Sequence, residues 1–258
     1  MQNRFTLAIG AALIAVAAYA LSDNQNGPAE YLGTTSWTYD DANFGGWSAL
    51  ELSAEGEAFV AVTDRGHITE GLISRENGLI TAVTNGPLIT LSGPSGKALN
   101  SRNRDTEGLI RDHQGRIYIS FESTPKIGRY ETLRSAATWL PRHPDFADMP
   151  INGALEALAI DQNGWLYTLP ERTGNVISPF PLYRFDGAKW DIPHHIKRQG
   201  GYLMVGADFG PDGMLYLLER QFSGLSFRNR VRRFDLNNFD PAGEVILKSR
   251  HGNLEGIS

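Results

Sequence analysis

The sequence predicts an all-β fold, a β-propeller built from blades of about four strands. Three observations carry this reading. Strand–turn–strand units recur with a period near 50 residues, each unit pivots on a glycine, and the units lack the 3.6-residue apolar spacing that helical repeats require.

From the N-terminus, Met1 to Arg4 precede an apolar run from Phe5 to Ala20, and the polar stretch Ser22 to Gly27 follows. This is the layout of a secretory signal peptide, residues 1–20. Arg4 supplies the positive end, and Ala18-Tyr-Ala20 supplies small residues before a cut at Leu21. The run falls short of the ~20 residues a membrane span prefers. No stable span is therefore expected after cleavage, and the expected location is periplasmic or secreted. Residues 21–44 are read as an N-terminal segment able to supply a closing strand, and 45–258 as one propeller domain.

Within that domain four units align: Ser48–Asp64, Glu107–Glu122, Glu156–Glu171 and Val205–Glu219. Their central glycines, Gly56, Gly115, Gly164 and Gly213, lie 59, 49 and 49 residues apart. Each unit reads as an apolar strand, a polar turn such as Asp161-Gln-Asn-Gly164, and a second strand rich in β-branched and aromatic residues. Pieces such as Pro181–Asp186 and Arg230–Asp235 supply outer strands. A fifth unit begins at Asn253-Leu-Glu255-Gly-Ile-Ser258. The expectation is a propeller of five or six blades in the complete protein, truncated in this chain.

Composition narrows the function. A net charge of −5 and the absence of a basic cluster exclude a nucleic-acid backbone binder. With no cysteine, thiol catalysis, zinc–thiolate sites and disulfides are excluded together. Gly93-Pro-Ser95-Gly96 lacks both the strand-to-helix context of a nucleophile elbow and the Lys-Ser/Thr ending of a phosphate loop. His194-His195 reads as a surface pair.

In a propeller the first strand of each blade lines the channel and the second returns beside it, so the start of one and the end of the other share a rim. Glu107 and Glu122 straddle Gly115, and Glu156 and Glu171 straddle Gly164 in the same way. Glu255 holds the first-strand position of the fifth unit, and Asp64 and Glu219 the second-strand position of the first and fourth. Arginine follows the acid at Arg65, Arg172 and Arg220. Carboxylates gathered in this way raise one another's pKa unless a cation neutralises them, and calcium, which takes oxygen ligands in irregular geometry, is the expected ion. Asp112, Asp161 and Asp212 lie at the turn end and read as structural.

The motifs Asp105-Thr-Glu107-Gly-Leu, Leu155-Glu156-Ala157, Ala207-Asp208-Phe-Gly-Pro-Asp-Gly213, Leu218-Glu219-Arg220 and Asn253-Leu-Glu255-Gly-Ile resemble the phytase-like family named for its esterase-like activity of phytase. The resemblance implies a propeller, often exported, whose recurring acids carry phosphoesterase chemistry. It places Asp64, Glu107, Glu122, Glu156, Asp208, Glu219 and Glu255 on the family's acidic motifs.

The combined expectation is a hydrolase of small-molecule phosphate mono- or diesters. Glu107, Glu156 and Glu255 would be catalytic, Arg65, Arg172 and Arg220 would bind substrate, and Asp64, Glu122, Glu171, Asp208 and Glu219 would hold metal. The alternatives are a non-catalytic propeller that binds a sugar, peptide or envelope partner, and a calcium-dependent lactonase or carboxylic esterase.

Overall fold

Residues 28–100, 103–250 and 252–258 are described by the structure, a computed structural model. The signal-peptide reading lies outside them. Four antiparallel sheets succeed one another along the chain. Blade one holds β1 (Trp47–Leu52), β2 (Ala58–Thr63), β3 (His67–Glu76) and β4 (Leu79–Asn85), with β5 (Ile89–Thr90) pairing the start of β3. Blade two holds β6 (Thr106–Arg111), β7 (Ile117–Phe121), β8 (Lys126–Tyr130) and β9 (Thr138–Trp139). Blade three holds β10 (Leu155–Ile160), β11 (Leu166–Pro170), β12 (Phe180–Phe185) and β13 (Trp190–Ile196). Blade four holds β14 (Leu203–Phe209), β15 (Leu215–Phe222), β16 (Phe227–Phe234) and β17 (Glu244–Ser249). One 3-10 turn, Pro144–Ala147, interrupts the β-structure. No helix among the described residues is long and apolar enough to cross a membrane.

Each inner hairpin forms because its turn satisfies its own backbone. The four central glycines share one left-handed conformation, with φ of 69°, 81°, 79° and 75°, which a side chain would strain. Asp112 Oδ1 accepts from the backbone N–H groups of Gln114 and Arg116, and Asp161 Oδ1 from those of Asn163 and Trp165. Those two aspartates are thus turn residues, as their placement implied.

The core lies between blades, and period-two alternation divides it. On β6 and β7, Leu109, Ile117 and Ile119 pack against Val60, Val62 and Ile68 of blade one, while Ile110 and Tyr118 pack against Leu155, Leu158 and Leu166 of blade three. Ala157, Tyr167 and Leu169 then meet Met204, Leu215 and Leu217 of blade four. Leu109, Ile119, Leu158, Tyr167 and Leu215 are buried as the repeat requires; Tyr216 is half-buried, its hydroxyl 2.8 Å from Asp212.

Between blades four and one runs the segment from Asn253 to Ser258. Leu254 and Ile257 pack on Val205, Leu218 and Val231, Gly256 lies against the backbone of Ala49 and Leu50, and Ser258 Oγ accepts from Leu52 N at 2.8 Å. This segment therefore occupies an inner-strand position beside β14 and β1. The closing strand expected in 21–44 is not found over its described part. There Trp37 instead stacks on Trp47 at 4.3 Å and donates to Asn85 Oδ1, and Ala29 N donates to Ile246 O of β17.

Candidate functional site

Every inner strand carries a register irregularity near its start: Trp47/Ala49, Thr106/Leu109, Leu155/Ala157 and Met204/Gly206. The residue eight before the central glycine falls in each bulge: Ser48, Glu107, Glu156 and Val205. A bulge re-aims its side chain out of the ladder, and here it turns two glutamates from facing blades onto one mouth of the channel. Gly108, beside the first bulge, allows close approach: a Cβ there would lie 2.6 Å from Glu156 O and 2.7 Å from Leu158 Cβ.

The second ring of positions comes from the strand-two exits. Asp64, Glu122 and Glu171 donate backbone N–H groups to Gly46, Asp105 and Ala154 ahead of their blades' first strands, and Arg220 pairs with Leu203 in the same place. These rings converge. Ligand oxygens of Asp105, Glu107 and Glu122 lie within 4.8 Å of one another, and so do those of Glu122, Glu156 and Glu171. Glu122 belongs to both groups. It also accepts a hydrogen bond from Gly153 N.

Burial and crowding set the electrostatics. Glu107 is pushed up to about 9, first by burial and then by Glu122, Asp105, Glu255 and Asp64. Glu156 is raised well above the usual carboxylate range by burial, then by Glu107, Glu171, Glu122 and Glu255. Burial also raises Glu122, against the Gly153 N–H that favours its charge. Arg220 ties the edge of the cluster together. Its Nη1 donates to Glu255 and, at 2.7 Å, to Asn253, and its Nη2 lies 3.4 Å from Glu171 Oε1. Arg172 Nε binds Glu171 Oε2 at 2.8 Å while the side chain stays 56% exposed.

Glu107, Glu156, Glu255, Glu122, Glu171, Arg172 and Arg220 are therefore brought together, with Asp64 at the margin beside Arg65. Two expected metal ligands are not, and here the structure corrects the sequence reading. Glu219 lies one residue short of the exit position, so strand alternation turns it to the other face. It is fully buried there, and both oxygens are taken by Arg230 at 2.5 and 2.9 Å and by Arg232 at 2.7 and 2.8 Å. Asp208 lies five residues before Gly213, the same offset that separates Glu51 from Gly56. At the opposite mouth these two acids line a cavity of about 960 Å³. Burial raises Asp208 to about 6 and Glu51 to about 8, the latter also through Asp208. Sequence reasoning gave no role to Asp105 itself, although it stands two residues before Glu107.

The donor set fits an oxygen-seeking cation. It is all carboxylate and contains no histidine, and apart from Glu171, which pairs with Arg172 and Arg220, its acids lie in no ion pair among the described residues.

Residues 42–253 match the family described as phytase-like, esterase-like activity of phytase. No curated protein matches the chain. Among solved structures, a streptogramin B lyase is 11% identical with a TM-score of 0.42, over 80% of this chain and 69% of its own. A candidate 6-phosphogluconolactonase from Bacteroides uniformis is 14% identical with a TM-score of 0.43, over 80% and 72%. Virginiamycin B lyase from Staphylococcus aureus is 13% identical with a TM-score of 0.39, over 78% and 69%.

Proposed function

The chain belongs to the phytase-like family, and from that premise we propose that it is an exported hydrolase of phosphate mono- or diesters, working through a carboxylate-held cation and rim arginines. One observation carries the proposal: Glu107 and Glu156 stand half-buried on the bulges of adjacent blades, and after burial it is neighbouring acids rather than cations that act on their carboxyls. A fold gains nothing from such an arrangement unless a ligand neutralises it.

Asp105, Glu107, Glu122, Glu156 and Glu171 would hold the cation, calcium in this reading. Bound there, it would polarise a phosphoryl oxygen and lower the pKa of a water. Arg172, more than half exposed beside Glu171, has its terminal guanidinium nitrogens free to take nonbridging oxygens, while Arg65, held by Gly45 O and Asp64, brings only its remaining N–H groups from blade one. Arg220 is engaged by Glu255, Asn253 and Glu171, so its role is to fix those acids in place. Whichever of Glu107 and Glu156 is left ionised but outside the cation's grasp would accept the proton of the attacking water.

Calorimetry with calcium, paired with a screen of p-nitrophenyl phosphate, bis-p-nitrophenyl phosphate and p-nitrophenyl acetate, tests this. Saturable calcium binding with turnover of a phosphate ester supports it. Turnover of the acetate alone favours the carboxylic-esterase reading. Neither binding nor turnover leaves a non-catalytic binding propeller.

A further inference from the structure

Three loops of blades three and four position members of the carboxylate cluster, and each also carries exposed apolar side chains. The loop ahead of β10 brings Gly153, whose N–H serves Glu122, and two residues earlier Ile151 stands exposed. A Cβ on Gly153 would lie 2.8 Å from Arg172 Cδ, so this loop rests on the next one. That second loop runs from Arg172 to β12. Asn175 Oδ1 accepts from the N–H groups of Ile177 and Ser178, and Thr173 Oγ1 donates to Ser178 O. The loop is closed on itself in this way, and Ile177 is held 82% exposed beside exposed Val176. The third is the β15–β16 hairpin, which follows Arg220, whose Nη2 lies 3.4 Å from Glu171. Ser223 N donates to Ser226 O at 2.9 Å, and this turn holds Leu225 99% exposed at its tip, with Phe222 exposed at its base.

Charge is distributed to match. The chain carries −5 overall, yet residues 172–185 and 220–234 contain no acid. The β16–β17 ladder pairs Asn229 with Ser249, and one step nearer the hairpin tip stand Arg228 and Arg250. Both are exposed and in no ion pair among the described residues. Like charges set side by side without an acid are unfavourable, and an anion brought from outside relieves them.

We propose that this rim of blades three and four is a lipid-contacting surface that seats the acidic mouth on an anionic phospholipid bilayer. Apolar tips on three separate loops enter a soft apolar phase one by one, where a folded partner would need one continuous face. Arg172, Arg228 and Arg250 then meet headgroup phosphates. Docking needs neither the cation nor turnover, so it stands apart from the hydrolase reading.

The test is sedimentation of the whole chain, in EDTA, with vesicles of phosphatidylcholine alone or mixed with phosphatidylglycerol. Wild type should sediment with the anionic vesicles and be released by high salt. Ile177→Ser combined with Leu225→Ser should weaken binding about tenfold or more, and so should Arg228→Gln combined with Arg250→Gln. Tm should hold in both, because the side chains are exposed. Leu72→Ser, which removes an exposed leucine from β3 of blade one, should bind as wild type does. No sedimentation of wild type, equal sedimentation with neutral vesicles, or full binding by either double variant overturns the proposal. A concentration-dependent dimer that Leu225→Ser abolishes, with no vesicle binding, overturns it too and assigns the tips to a second copy of the chain. Vesicle binding by a protein with no ester turnover sinks the hydrolase reading and leaves the surface standing.

Discussion

Glu156 and Glu219 are both glutamates on strands beside the channel, yet their surroundings give them opposite roles. Around Glu156 are other acids, so its neutral form is favoured. Glu156→Gln keeps the shape and removes the charge; the expected result is a loss of about 10²-fold or more in phosphate-ester turnover, with far-UV circular dichroism unchanged. Turnover retained at the wild-type level would leave Glu156 with no catalytic part. The same logic fixes a pH dependence. Glu107 has an ordinary value of 4.5 and a folded value of about 9, so between these the folded chain holds a proton that the unfolded chain has lost. Its contribution to stability is complete below pH 4.5 and declines as pH rises toward 9. Metal-free Glu107→Gln should therefore melt above wild type at pH 8 and alongside it at pH 4. Calcium binding should release protons and tighten from pH 6 to 8, measurable by calorimetry in buffers of different ionisation enthalpy. Around Glu219 are two buried arginines, and Glu219→Gln should cost about 3–5 kcal/mol in a urea melt while turnover per folded molecule holds. Sequence spacing placed Glu107, Glu156 and Glu255 on one rim because each stands at the first-strand position of the repeat, and the three do come together. It misjudged Glu219 because a single-residue offset, invisible without the register, reverses the face of a strand residue.

At the scale of the strand, the bulge creates the site. A regular ladder would keep Glu107 and Glu156 in alternation with their neighbours; the irregularity at Thr106/Leu109 and Leu155/Ala157 frees them to turn inward. Gly108 permits the approach of blades two and three at that level, and Ser120 Oγ accepts from its N–H at 2.8 Å. Gly108→Ala should overpack this join, lowering stability by about 1–3 kcal/mol in a denaturant melt and weakening calcium binding because the two glutamates are pushed apart. Unchanged calcium affinity in that variant would show that the cluster does not need the close apposition. Hairpins and their turn glycines were legible in the sequence, because the turn chemistry is local. The bulges were not, since they arise from pairing between strands that have no sequence signature of their own.

For the whole molecule, the repeat predicted the ring and the side-by-side packing of blades, because period-two alternation forces each blade to bury both faces. What the repeat did not predict is the path of residues 28–46, which carry no strand and instead lay Trp37 on blade one. The segment Asn253–Ser258 joins blades four and one, and Ile257 seats it against Val205 and Leu218. Ile257→Ser should loosen that join first. Hydrogen exchange is expected to speed up in β1 and β14 before the β6–β10 interface responds, and Glu255 should lose its hold on Arg220. Uniform acceleration across all blades would mean that the segment is not a separate cooperative unit.

The strand-one bulges read Ser48, Glu107, Glu156 and Val205 around the ring, and the strand-two exits Asp64, Glu122, Glu171 and Arg220. Both positions are acidic only in blades two and three. A scaffold repeated fourfold therefore has a mouth with a negative half and, across it, a half in which Arg65 and Arg220 offset Asp64 and Glu255. Such a mouth carries a lateral dipole in the plane of the disc, distinct from any field along the channel. An anionic ester arriving at the mouth would feel a torque as well as a pull, its charged end swung toward blades one and four. In physiological salt the field fades over about 8 Å, so this turning acts only over the last few ångströms. Raising ionic strength should then cost the proposed hydrolase more in productive orientation than in encounter.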